Sequence, residues 1–150
     1  MTSKILGIDV GAVSGAWALL HGSSITCGDL PVVDGNVSPA HLFQSLMAHK
    51  PDVAIVERVN AFSGQGVSSV WKFGQAYGSV LACLACAGIP VHLVTPTVWK
   101  KHYNLPGKDK EKARALAIRL FPTVEGLSRK KDHNRAESLL LARYHLETAK

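Results

Sequence analysis

The sequence has no apolar stretch approaching the roughly 20 residues that a membrane-spanning helix needs, and its N-terminus lacks the pattern of a signal peptide. A cytoplasmic protein with no membrane partner is expected. Cysteine is scarce. Cys27, Cys83 and Cys86 leave one thiol over in any disulfide scheme, which fits a reducing compartment. Cys83 and Cys86 form a C-x-x-C, but they lie in the apolar helical run Val80 to Ala87 with no second ligand pair, so packing is expected rather than zinc or redox chemistry. There is no internal repeat and no low-complexity segment. What is present is 150 residues with 47% hydrophobic content, enough chain for one packed core and too little for two ordinary domains. A single domain over 1–150 is expected.

Acidic residues are few where basic residues gather. From Lys100 onward there are 13 Lys and Arg against 6 Asp and Glu, whereas residues 1–99 hold 4 against 5. A basic third on a compact domain suggests a polyanionic partner, nucleic acid first among them. A merely solvated surface is the alternative, and Lys108-Asp109-Lys110-Glu111-Lys112 also reads as an ordinary helix start.

Along the chain, Ile5, Leu6, Ile8 and Val10 make a run apolar on both faces, as in a strand covered on both sides of an α/β sheet. Turn signals then separate Ala16 to Leu20 and Ile25 to Cys27, giving an antiparallel meander, and Leu30 to Val37 reads as a loop. Ser38 as N-cap and Pro39 at the first helical position open a helix with Leu42, Phe43, Leu46 and Met47 on one stripe. Asp52 to Glu57 is a fourth strand, Val70 to Ala87 a helix, and Val91 to Val94 a fifth strand. Helical segments follow at Thr95 to His102, at Lys110 to Phe121 and from Asp132 toward Ala149. The strand–helix–strand order predicts parallel strands joined by crossovers.

Asp9 is the oddity of the first strand, because a carboxylate there is costly to bury unless something cationic meets it. Alone it reads equally well as an Asp capping a turn. Glu57 closes the fourth strand with a second carboxylate, with pairing to Arg58 as the structural alternative. His133 and Glu137 are four residues apart and share a helix face, with Asp132 as either cap or ligand. Two strand-end carboxylates with an acid and a histidine at a helix start form the oxygen-rich set that hard divalent cations require. A pair of such ions, roughly 4 Å apart, can activate water and stabilise the leaving oxygen of a phosphodiester.

Gly7-Ile8-Asp9-Val10-Gly11, Glu57-Arg58-Val59, Lys72-Phe73-Gly74-Gln75-Ala76-Tyr77-Gly78, Pro96 to Lys100 and Asp132-His133-Asn134-Arg135-Ala136-Glu137 resemble, in order and over nearly the whole chain, the RuvC family of Holliday junction resolvases. The compact phage-type members are the most similar. The resemblance implies a ribonuclease H-like α/β fold, with a five-stranded mixed sheet, an antiparallel N-terminal meander plus two parallel strands, flanked by helices. It also implies a homodimer that cuts four-way DNA junctions symmetrically with Mg²⁺ or Mn²⁺, two ions per site, leaving 5′-phosphate ends. By position Asp9, Glu57 and Glu137 match metal ligands. The family's remaining ligand, three residues before the last acid, falls here on Asn134, so Asp132 or His133 is expected to supply it, with Asp132 favoured. Lys100 and Lys110 fall near lysines that contact the scissile strand, and Phe62 lies in the loop whose aromatic enters the junction. Lys72, Lys101, Lys108, Arg129, Lys130 and Lys131 complete the expected DNA-binding set.

Two other readings remain. The first hairpin is also similar to the phosphate-binding hairpin of actin-like ATPases and sugar kinases, but those close two domains over a nucleotide and this chain has room for one, so no nucleotide cofactor is expected. A non-catalytic nucleic-acid binder on the same fold is disfavoured by the acids themselves, which repel DNA unless cations bridge them.

Overall fold

The computed structural model describes residues 2–12, 15–60, 63–105, 107 and 109–149. Strands β1 (Lys4–Asp9), β2 (Ala16–His21) and β3 (Ser24–Asp29) form the meander. A two-residue hairpin, β4 (Val32–Val33) and β5 (Asn36–Val37), then leads into helix α1 (Pro39–His49). Strand β6 (Val53–Glu57), helix α2 (Val67–Cys86), strand β7 (Val91–Val94) and the helices α3 (Pro96–His102), α4 (Lys110–Leu120) and α5 (His133–Thr148) complete the chain. The main sheet has the order β3-β2-β1-β6-β7, with β1, β6 and β7 parallel and the meander antiparallel. This is the mixed five-stranded architecture expected. The segment expected as a loop at 30–37 instead contains a hairpin, because Asp34 and Gly35 take the positive φ values, 52° and 78°, that a tight two-residue connection requires.

The sheet is buried on both faces, and strand alternation assigns each residue to one of them. Leu6, Ile8, Ala54 and Val56 face α1 and α2, joining Leu42, Leu46, Val80 and Leu84. Ile5 and Ile55 face the other layer with Trp99, Ala117, Leu139 and Leu140. Asp9 has the parity of Ile5, and Glu57 that of Ile55. Both carboxylates therefore project on the α5 side of the sheet.

Side-chain caps fix the starts of α1 and α4. Ser38 Oγ accepts from His41 N at 3.4 Å and Pro39 occupies the first turn of α1. Asp109 accepts from Glu111 N and Lys112 N at 3.1 and 3.2 Å, so the mixed-charge run does begin a helix, with Lys110 as its first residue. Helix α5 is buried at every residue from Ala136 to Ala142, as a helix lying centrally across a sheet must be. It lies close against β1 at Gly7, where an added Cβ would collide with the Ser138 carbonyl and stand 2.9 Å from Ala142 N. Ser138 Oγ donates to Ala16 O of β2 at 3.0 Å and to Asn134 O at 2.9 Å, tying α5 to the meander. Among the described residues, no helix is long and apolar enough to cross a membrane.

Candidate active site

Three carboxylates from three elements meet beyond the C-terminal ends of β1 and β6. Ile8 pairs in register with Val56, so the next residues, Asp9 and Glu57, end adjacent parallel strands. Gly7 lets α5 lie against β1, and Glu137, one residue before Ser138, reaches Asp9. The Asp9 and Glu137 carboxyls face each other within interaction range. Asp9 keeps some exposure as a residue, but burial holds its carboxyl well above the usual carboxylate range, and the Glu137 and Glu57 charges push it further against the opposing pull of Lys110.

Glu57 is also raised, by burial first and by the charge of Glu137, while Lys100 and Lys110 pull it down. Its Oε2 accepts a 2.7 Å hydrogen bond from Trp99 Nε1, which opposes the rise. Glu137 is 4% exposed, and the Lys110 ammonium stands 3.6 Å from its Oε2. The site is thus acidic at its centre, with lysines from α3 and the start of α4 at its edge.

Asp132 and His133 have different surroundings. Asp132 is 2% exposed, and Arg129 engages both of its carboxylate oxygens. The Arg129 backbone N–H donates to Oδ2 at 2.8 Å, Nη2 donates to Oδ1 at 2.8 Å, and Nε bridges both oxygens at 3.2 Å. Arg135 adds a guanidinium nitrogen 3.7 Å from Oδ1. Those bonds hold Asp132 below the usual carboxylate range. Arg135 also grips Asp29 of β3 through two bonds of 2.8 and 3.0 Å and donates to Gly126 O at 3.1 Å. The start of α5 is therefore tied to the end of β3 through Arg135. His133 is partly exposed, but its Nδ1 is buried with no hydrogen-bond partner.

Among the described residues, no three His, Cys, Asp or Glu side chains stand arranged to hold a metal ion, and one oxygen of Glu57 is taken by Trp99. The donor set nevertheless fits a hard divalent cation in its chemistry. It consists of carboxylate oxygens whose charging is opposed by burial and mutual repulsion, the two penalties that a bound cation relieves, while His133, with its buried and unpartnered Nδ1, precedes Glu137 by four residues on α5.

Among the expected DNA contacts, Lys72, Lys101, Lys110, Arg129, Lys130 and Lys131 are exposed and Lys100 is half-buried. Lys100 and Lys101 line a groove of 840 Å³ with Thr97, Asn104 and Leu105. Lys72 lines a 220 Å³ recess with Ala12, Asn36, Gln75 and Ser79 beyond the end of β1. Phe62 and Lys108 lie outside the described residues. Sequence reasoning missed Trp99 as a site residue and Arg129 as the partner of Asp132. A tryptophan in an apolar helical pattern reads as core, which it also is. The i, i+3 spacing of Arg129 and Asp132 was the available signal for the second.

No family model matches the sequence. The crossover junction endodeoxyribonuclease RuvC of Chloroflexus aurantiacus is 31% identical over 159 residues, covering 97% of this chain and 94% of that protein. The protein of the same name from Nitratidesulfovibrio vulgaris is 34% identical over 108 residues, 65% of this chain and 64% of that one. Among solved structures, Thermus thermophilus RuvC in complex with a Holliday junction substrate matches with a TM-score of 0.73 at 16% identity, over 98% of this chain and 96% of that one. The fowlpox virus Holliday junction resolvase matches with a TM-score of 0.58 at 16% identity, over 97% and 99% of the two chains. The carboxylates at the ends of β1 and β6 and on α5 thus lie in a ribonuclease H-like fold, and kinship over nearly the full length of a relative places the chain in the RuvC family of crossover junction endodeoxyribonucleases.

Proposed function

We propose that residues 1–150 act as one nuclease domain that hydrolyses phosphodiester bonds at the crossover of four-way DNA junctions, with Asp9, Glu57 and Glu137 as its metal-binding carboxylates. Family membership makes the chain a structure-selective, junction-resolving endonuclease. The observation that carries the site assignment is the convergence of three acids from β1, β6 and α5 at one end of the sheet. His133 is the favoured fourth ligand because its Nδ1 has no protein partner, whereas the oxygens of Asp132 are engaged by Arg129.

Asp9, Glu57, Glu137 and His133 would hold Mg²⁺ or Mn²⁺, two ions per site. Bound there, divalent cations supply activation of the attacking water and neutralisation of charge on the leaving 3′ oxygen. The protein's own part begins with gathering Asp9 and Glu137, whose burial and mutual repulsion a bound cation would relieve. Lys110 stands by Glu137 as a cation for the scissile phosphate, and the basic α3–α4 edge tracks the flanking backbone. Paired cuts across a two-fold junction need two such sites, hence a homodimer. The products would carry 5′-phosphate ends, and a cytoplasmic setting accords with three free thiols.

The test is cleavage of an end-labelled synthetic four-way junction by purified protein. Mg²⁺-dependent release of nicked duplexes that DNA ligase reseals supports the reading. Cleavage unaffected by EDTA, or products that resist ligation, overturns it.

A further inference from the structure

Trp99 is fully buried, in the middle of the short helix α3, and its indole nitrogen needs a hydrogen-bond acceptor. The acceptor it finds is not a backbone carbonyl but Glu57 Oε2, at 2.7 Å. The register of the sheet explains how this residue comes to stand there. Glu57 pairs with Val94, the last residue of β7. Thr95 and Pro96 then turn the chain directly into α3, with Pro96 in its first turn, so Trp99 lies one helical turn beyond the strand end beside Glu57.

The helix is fixed at its other end too. His102 Nε2 is 3.0 Å from Glu147 Oε2, and Tyr103 OH donates to Glu147 Oε1 at 3.2 Å. Glu147 is held in turn by Arg143 Nε at 2.6 Å. Helix α3 is therefore braced against the C-terminal part of α5, the helix whose first turns carry Glu137. On the same short helix, Lys100 Nζ lies 5.6 Å from the centre of the Trp99 ring.

From this geometry we infer that Trp99 is a positioning residue for Glu57, its indole N–H committing Oε2 so that Oε1 is the oxygen presented to a cation. A glutamate at a strand end has several rotamers, and an uncommitted one must be ordered each time it binds a ligand. Partners of this kind, which orient a metal ligand without touching the metal, typically change metal affinity or activity 10–100-fold when removed. The role separates Trp99 from its neighbours in the core. Val94 and Leu139 contribute packing alone, whereas Trp99 contributes packing and a directed donor. The inference rests on the metal-centred reading of the site given above.

Mn²⁺ binding measured by titration calorimetry on wild type, Trp99→Phe, Glu57→Gln and the double variant tests it. The expected result is affinity about 10–100-fold weaker in W99F, with no further loss when W99F is added to E57Q. A role in packing alone lowers the melting temperature equally with and without metal and leaves Mn²⁺ affinity within twofold of wild type, and that result overturns the inference. If W99F does not fold, the indole N–H signals of ¹⁵N-labelled wild type decide. The Trp99 signal should shift on adding Mg²⁺ and in E57Q, with those of Trp17 and Trp71 unmoved, and a Trp99 signal that coincides in E57Q and wild type overturns the proposal. Wild-type protein that binds no Mn²⁺ overturns the metal-centred reading and the inference with it. Wild-type binding alongside unchanged W99F binding overturns the inference alone.

Discussion

The carbonyl of Ser138 fills the space in which a side chain on Gly7 would stand. This contact sets the depth of α5 on the sheet, and with it the meeting of Glu137 and Asp9 on which the candidate site depends.

Gly7→Ala should therefore cost more than a glycine in a strand usually gives back. Overpacking of this kind typically costs about 1–3 kcal/mol, and here the strain falls on backbone atoms of α5 rather than on a side chain that can turn away. The expected outcome is a lower melting temperature, with junction cleavage reduced even at temperatures where the variant is folded. Denaturant melts beside cleavage rates check it. Unchanged stability and rate would show that α5 is free to shift.

Asp9→Asn should uncouple stability from function. Burial and the neighbouring acids raise the Asp9 carboxyl above its ordinary value, so the native state holds that proton more tightly than the unfolded chain does. Its contribution to stability is complete below the unfolded-state value, near 3.9, and is lost as pH rises through the raised native one. At neutral pH in EDTA, D9N should melt a few degrees above wild type, and Mg²⁺ should stabilise wild type but not D9N. Thermal melts from pH 4 to pH 8, with and without Mg²⁺, read both effects.

Asp132→Asn should separate an anchoring role from a ligating one. Asp132 is buried and Arg129 is about half exposed (2% and 50% by side chain), so the pair is worth less than a fully buried one, and its loss should lower the melting temperature modestly rather than unfold the chain. Because Arg129 depresses the Asp132 carboxyl, this stability is present above the unfolded-state value and is lost as pH falls through the native one. D132N should be less stable at neutral pH, less sensitive to acid, and still able to cut junctions when folded. Complete loss of cleavage in well-folded D132N would assign Asp132 a ligating role.

Much of this arrangement was readable beforehand. Asp9 stood out because a carboxylate interrupts an apolar strand, Glu57 because a second strand ends the same way, and Glu137 because the start of the last helix was marked and four-residue spacing defines a face. The order of strands and helices predicted the crossovers and hence the parallel core of the sheet. Other features depended on contacts between distant segments. Nothing local to Trp99 reveals that its indole meets Glu57, 42 residues away. That Arg129 engages both oxygens of Asp132 while His133 Nδ1 is left without a partner depends on how the chain folds into the start of α5. The small hairpin at β4 and β5 did have a signal, Asp34-Gly35 directly after Val32-Val33, a turn pair that also fits the loop expected there.

Salt dependence should report the basic edge. Lys130 and Lys131 are exposed beside the start of α5, and each lysine that meets a phosphate should contribute roughly 0.9 to the slope of log affinity against log salt. Replacing both with alanine should flatten that slope by about 2 without changing the preference for four-way junctions over duplex. Electrophoretic mobility shifts at several salt concentrations measure it, and an unchanged slope would place the DNA elsewhere.

The central claim is that Asp9, Glu57 and Glu137 form one metal-dependent hydrolytic site. Its most direct test is cleavage and binding of a synthetic four-way junction by D9N, E57Q and E137Q beside wild type in Mg²⁺. The account predicts that all three variants bind the junction with near wild-type affinity and cut it no faster than wild type in EDTA. Substantial Mg²⁺-dependent cleavage by any folded member of the three would contradict it.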